Sequence, residues 1–167
     1  MAVPVPALHS ASTVLTTAET TTWYNTMQWL LAPPKCRLTT SATTTTGTAF
    51  AWSSVAFNTE AYDSTSMHDT VTNNSRITIA TSGFYRLMAK SRATANVSLG
   101  IRLAVSGSAV PDVENWAPFM AGPGVADTST SATLYLTAGQ YVEAQVASSG
   151  AATVVASSTF EAHWVSN

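Results

Sequence analysis

The residues best equipped for chemistry gather in one short stretch. Asp63, His68 and Asp69, followed by Asn73 and Asn74, bring carboxylate, imidazole and amide groups together. Carboxylate and amide oxygens in a loop can ligate Ca²⁺, so Asp63 and Asp69 are the candidate metal ligands. Their spacing matches no defined calcium loop, and Asp and Asn are the residues that ordinary turns use to bond their own backbone. The expectation is no metal and no cofactor, with His68 a hydrogen-bonded loop residue. His163 and Glu161 are expected on the outward face of a strand, solvated or at a subunit contact. Cys36 is the one cysteine and has no histidine near it in sequence. It reads as a small buried apolar residue. A lone cysteine cannot form an internal disulfide, which suits a reducing compartment or assembly inside a cell.

Catalytic signatures are missing. The chain has no Gly-x-Ser-x-Gly elbow, no His-Glu-x-x-His helix and no phosphate-cradling glycine loop. No catalytic residue is assigned and no enzyme is expected. A different chemistry is offered by Trp116 and Phe119, in Glu114-Asn115-Trp116-Ala117-Pro118-Phe119-Met120, ahead of Gly122-Pro123-Gly124. Exposed aromatics on a loop can stack on sugar rings, as in an adhesin. The same rings can instead cap a sandwich or fill an interface, which their large burial energy favours.

Charged residues make up 10% of the 167, against about 25% in an average soluble domain. Threonine and serine take their place, so hydroxyls carry solubility, and threonine also suits strands. Surfaces of that kind can be buried against copies of themselves. The net charge of −2 comes with no basic block, which gives nucleic acid nothing to bind electrostatically. No apolar run approaches the ~20 residues that a bilayer requires, so no membrane partner is expected. The start, Met-Ala-Val-Pro-Val-Pro, lacks the basic and apolar regions of a signal peptide. Secretion by the general pathway is not expected, and the Asn-x-Ser sequences at Asn73 and Asn96 read as chance matches.

The elements that must position these groups come in two kinds. Residues 1–15 read as an extended arm. Thr16 followed by Glu19 matches a capping box and opens a helix to about Leu31. Trp23, Met27, Leu30 and Leu31 share one apolar face, with Trp29 off it. Pro33 and Pro34 end the helix. A helix this short is marginal alone and must dock, on its own domain or on a neighbour. Residues 39–49, rich in threonine, form a linker or pair with a sheet edge.

Beyond them the period changes to two. Arg76 to Ile79 alternates, and Tyr85, Leu87 and Ala89 oppose Arg86, Lys90 and Arg92. Leu99, Ile101, Leu103 and Val105 line one face, as do Leu134 with Leu136, Val142 with Ala144 and Val146, and Phe160 with Ala162 and Trp164. Turn signals at Ser82-Gly83, Ser106-Gly107, Ala138-Gly139 and Ser149-Gly150 separate them. Many short strands with no intervening helix predict an all-β sandwich or barrel. The expected division is an arm and anchoring helix over 1–38 and a β domain over 39–167.

The order of certain residues carries a resemblance. Phe50, Trp52, Val55, Phe57-Asn58 and Tyr62-Asp63 precede Ile77 and Ser82-Gly83-Phe84-Tyr85. Leu134, Leu136, Ala138-Gly139-Gln140-Tyr141-Val142 and Phe160 to Trp164-Val165 follow. The pattern resembles the jelly roll of complement recognition heads and tumour-necrosis-factor-like ligands, over about the last 115 residues. The collagen-like stalk and signal peptide of animal members are absent. In their place stands the helix with Trp23-Tyr24-Asn25 and Leu31-Ala32-Pro33-Pro34. That helix, with Tyr62-Asp63, Met67-His68-Asp69 and Asn73-Asn74-Ser75-Arg76-Ile77, resembles small virion proteins of tailed bacteriophages infecting actinobacteria. These are often labelled minor tail proteins, and similar jelly rolls serve as head fibres or capsid decoration.

The resemblance implies a non-enzymatic structural protein of the virion, assembled in the host cytoplasm. It implies a homotrimer packed around a three-fold axis, with other virion proteins as partners. The helix stripe Trp23, Met27, Leu30 and Leu31 would be the anchor to capsid or tail. The alternative is a receptor-binding module at a tail tip, using Trp116 and Phe119 for host attachment through a surface glycan.

Overall fold

The structure, a computed structural model, describes residues 16–41, 44–46, 50–94, 97–118, 125–154 and 157–166. The arm expected over residues 1–15 and Phe119 lie outside the described residues.

Helix α1 spans Thr17–Leu31. Its start is the expected capping box. The Thr16 hydroxyl accepts from the Glu19 amide at 3.3 Å, and the Glu19 carboxylate accepts from the Thr16 amide at 2.7 Å. Threonines 20, 21, 22 and 26 donate their hydroxyls to the carbonyl four residues back, at 2.8–3.0 Å. The apolar stripe is not covered: Trp23 is 43% exposed and Leu31 76%, with Met27 and Leu30 between them. The sandwich does not cover this stripe.

The strands are β1 (Lys35–Thr39), β2 (Thr44–Thr46), β3 (Ser53–Ser54), β4 (Thr59–Asp63), β5 (Arg76–Thr78) and β6 (Gly83–Thr94). They continue as β7 (Leu99–Val105), β8 (Ser108–Ala117), β9 (Val125–Leu136), β10 (Tyr141–Ser148), β11 (Ala152–Val154) and β12 (Thr159–Ser166). In sheet I, β4, β1, β12 and β6 lie side by side, with β9 on the far side of β6. Beyond β12, β6 continues into pairing with β11, which pairs in turn with β2. Sheet II holds β10, β7 and β8 side by side, with β5 and β3 sharing the other edge of β10. All pairings are antiparallel, and the architecture is a two-sheet jelly roll.

Strand β1 crosses the expected boundary at residues 38 and 39. Cys36 and Leu38 are wholly buried, so β1 packs with the sandwich. The threonine-rich stretch contributes β2 to a sheet edge, one of the two roles expected of it.

The core lies between the inner faces. Sheet I supplies Leu38, Tyr85, Leu87, Phe160 and Ala162, and sheet II supplies Ile77, Leu99, Ile101, Leu103, Val142 and Val146, all fully buried. Phe57 and Met67 close the ends, and the Phe57 and Phe160 rings sit 5.8 Å apart. Each large aliphatic or Phe side chain among them contributes about 1.5–3 kcal/mol on burial. The alternation read from the sequence therefore becomes packing, as in β6, where every second residue from Gly83 to Ala93 is buried.

Strand β9 is longer than its apolar residues announce. Its inward positions include Thr128 and Thr130, at the open edge of the sandwich. The Thr130 hydroxyl donates to the Val113 carbonyl at 2.9 Å and Thr128 to the Asn115 carbonyl at 3.4 Å. The Asn115 amide returns a bond to the Ser129 carbonyl at 2.8 Å. These bonds join β9 of one sheet to edge strand β8 of the other, so buried hydroxyls find acceptors and the backbone there does not stay orphaned.

Candidate functional site

The acidic and histidine stretch after β4 folds into turns. Asp63 accepts from the Thr65 amide at 3.1 Å and the His68 amide at 2.9 Å. Asp69 accepts from the amides of Val71 and Thr72 at 2.8 and 2.9 Å, which hold its carboxyl below the usual carboxylate range. His68 is enclosed, its Nδ1 2.9 Å from Glu60 Oε1 and its Nε2 3.2 Å from the Asn74 carbonyl oxygen. Among the described residues no group of three His, Cys, Asp or Glu could hold a metal ion. Asp63 and Asp69, the candidate ligands, do the work of turn capping. The adjoining cavity of about 380 Å³ is walled by His68, Asp69, Arg76 and Tyr141. The Arg76 guanidinium lies 4.0 Å from the Tyr141 ring centroid and bonds Glu143 Oε1 at 3.3 Å. Glu143, nearly enclosed, takes a further 3.0 Å bond from Ser75.

The outward face of sheet I carries two features in register. Arg37, Glu161 and Met88 form one row, and Lys35, His163 and Arg86 the next. Arg37 pairs with Glu161 at 3.1 Å, and His163 Nε2 lies 2.9 Å from the Tyr62 hydroxyl. At the start of β6, Phe84 and Tyr135 meet edge to face at 5.3 Å, both exposed. A groove of about 540 Å³ runs beside Met88, bounded by Lys90, Asn115, Ser131 and Glu161.

The most developed arrangement is on the outward face of sheet II. Trp116 was expected on a loop. It belongs instead to β8, paired with Gly100 of β7, and Gly100 pairs with Ala147 of β10. A Cβ on Gly100 would fall 2.8–2.9 Å from Cδ2, Cε2 and Cζ2 of the indole. The ring thus lies flat on the glycine, a fit that any side chain at position 100 would prevent. The indole N–H donates to Glu114. Trp52 meets Trp116 edge to face at 5.6 Å, and Phe50 meets it at 5.9 Å and 53°. Phe50 is 62% exposed and sits at φ +59°, a turn conformation that points the ring at the ledge.

The adjacent row is polar. Glu114 of β8, Arg102 of β7 and Gln145 of β10 are cross-strand neighbours. Arg102 donates to Gln145 at 2.9 Å, and its guanidinium lies 4.4 Å from the Trp52 ring centroid. Three residues of this site, Gly100, Arg102 and Gln145, were not singled out in the sequence. Gly100 interrupts an apolar run and is the trace that was available. Phe50 and Trp52 were visible only as parts of the resemblance.

No protein-family model matches the sequence, and no curated protein matches it in sequence. Solved structures do match in shape. The globular domain of zebrafish complement 1qA protein covers 80% of this chain and 99% of its own length, at a TM-score of 0.58 and 16% identity. Murine APRIL, in a crystal at pH 5.0, covers 79% of this chain and 98% of its own, at 0.62 and 10% identity. At such identities the likeness shows the fold, which is the jelly roll that the sequence resemblance implied.

Proposed function

We propose that this chain is a non-enzymatic structural protein of a bacteriophage particle. It acts as a homotrimeric jelly roll on the virion surface, as capsid decoration, head fibre or minor tail protein. The observation that carries this reading is the uncovered stripe of α1. Trp23, Met27, Leu30 and Leu31 stay exposed beside a sandwich that has closed its own core. Such a stripe gains about 1.5–3 kcal/mol per large side chain once a partner covers it, less the cost of ordering the segment. Three linked copies would multiply the hold without any new contact. The trimer is supported by the jelly-roll shape and by Phe84, Met88 and Tyr135, apolar residues exposed on the outward face of sheet I.

The test compares the full chain with a chain beginning at Lys35 and with a Trp23→Ala, Leu30→Ala variant. All three should scatter light as folded trimers, and only the full wild-type chain should join particles. A monomer at micromolar concentration would sink the trimer, and attachment of the truncated chain would sink the anchor.

A second reading, a receptor-binding module at a tail tip, is favoured by the aromatic ledge of sheet II. Gold labelling of the protein on intact particles separates head from tail. Adsorption of the purified protein to host cells measures receptor binding directly.

A further inference from the structure

We infer that the ledge built on Gly100 is a binding site for a neutral hexopyranose unit of a surface saccharide. The inference rests on the receptor-binding reading and names its ligand class and residues.

The indole of Trp116 has one face against the backbone of Gly100. The ring is half-buried, so part of it stays open to solvent. An aromatic face is negative at its centre. The C–H side of a pyranose presents weakly positive hydrogens over a similar flat area, so the two stack. Phe50 and Trp52, tilted by 53° and 65° to Trp116, stand beside it as a rim. The bond from the indole N–H to Glu114 fixes the ring before any ligand arrives. Little ordering then remains to oppose binding.

Stacking alone does not distinguish a sugar from another apolar ring. The polar row does. Glu114, Arg102 and Gln145 run beside the ledge on three neighbouring strands, presenting carboxylate, guanidinium and carboxamide in a line. Such groups bond the adjacent hydroxyls of a sugar, offering donors and acceptors together.

The charge of the row selects among sugars. Glu114 and Arg102 are cross-strand partners, so the row is neutral. Arg102, bonded to Gln145 and laid over Trp52, is the row's one cation among the described residues, and Glu114 beside it balances its charge. No net positive charge draws a sialate or uronate carboxylate, and a neutral hexose fits.

The experiment is titration of the full-length protein, followed by tryptophan fluorescence and calorimetry. The probes are neutral gluco-, galacto- and mannooligosaccharides, with an oligogalacturonate as the charged comparison. At least one neutral probe should bind saturably below about 10 mM. Trp116→Ala should weaken it about tenfold or more, and Trp116→Phe, which keeps a flat ring, should stay within about threefold. Phe50→Ala removes only an exposed rim residue. It should weaken binding by a smaller factor and serves if Trp116→Ala fails to fold. Preference for oligogalacturonate, or neutral binding indifferent to both Ala variants, would overturn the inference. Host-cell adsorption that persists in Trp116→Ala, with no neutral probe bound, would overturn it and leave the receptor reading standing. Loss of both cell and sugar binding in the wild-type chain would remove the two together.

Discussion

Replacing Gly100 by alanine should destabilise the protein through one ring. The new methyl would stand 2.8–2.9 Å from three indole carbons of Trp116. Carbon atoms rest at about 3.5–4.0 Å, so the indole must move outward by roughly 1 Å. Its rim contacts with Trp52 and Phe50 and its bond to Glu114 all resist that motion. Overpacking of this kind costs about 1–3 kcal/mol. In a domain of this size each kcal/mol lowers Tm by about 2–4 °C. Trp116→Ala should be destabilising by itself, since it uncovers Gly100 and removes the ring contacts with Trp52 and Phe50. The two changes together should cost less than their sum, because the double variant has no ring to displace. Urea unfolding followed by near-ultraviolet circular dichroism gives all three values, and the cycle isolates the coupling. The reasoning fails if Gly100→Ala is neutral within about 0.5 kcal/mol, or if the two costs add.

Other expectations follow from buried and paired groups. Burial pushes the Tyr85 phenol up to about 12. The folded chain therefore keeps a proton that the unfolded chain loses near pH 10. This stabilisation is complete below that value and fades as pH rises towards 12, visible by titration at 295 nm beside circular dichroism. Tyr85→Phe should remove that alkaline loss and cost about 1–3 kcal/mol, by stranding the Thr81 carbonyl now bonded at 2.8 Å. Burial, with Asp63 and Glu60 nearby, pushes the Cys36 thiol up. A disulfide reagent at pH 8 should leave it untouched until denaturant is added. Arg92 grips Asp127 with two 2.9 Å bonds and holds its carboxyl below the usual range. The pair's contribution should be present at neutral pH and lost as pH falls through the lowered value. Both side chains are about 40% exposed, so Arg92→Ala should cost little at pH 7 and less still near pH 3.

How much of this was legible in the sequence depended on distance along the chain. The capping box was legible because Thr16 and Glu19 are three residues apart and bond each other directly. The inward faces of β6, β7, β10 and β12 were legible because alternating burial writes itself into alternating residue type. Strand β8 was not. It is an edge strand with little buried surface, so its residues do not alternate, and Trp116 read as part of a loop. Strand β9 showed only Leu134 and Leu136, since its inward threonines are buried by bonding β8 rather than by being apolar. The ledge needed the register itself. Phe50, Gly100, Trp116 and Gln145 meet only because β7 lies between β8 and β10.

The place of β12 carries a consequence for how the protein is made. It lies between β6 and β1, so β1 has only β4 beside it until β12 is synthesised. Ribosomes add about 5–20 residues per second, and nearly all of the β domain must emerge before sheet I can close. The nascent chain thus holds an open seam along β1 and β6 for seconds. Pairings so remote in sequence are also slow to form. An open seam of this kind invites strands from a neighbouring nascent copy. Chaperone dependence and yield should therefore be governed by the interval before β12 appears. A stalled chain lacking residues 159–166 should be held insoluble or chaperone-bound, while release of the full chain should be followed by rapid protection of the β1 amides from hydrogen exchange.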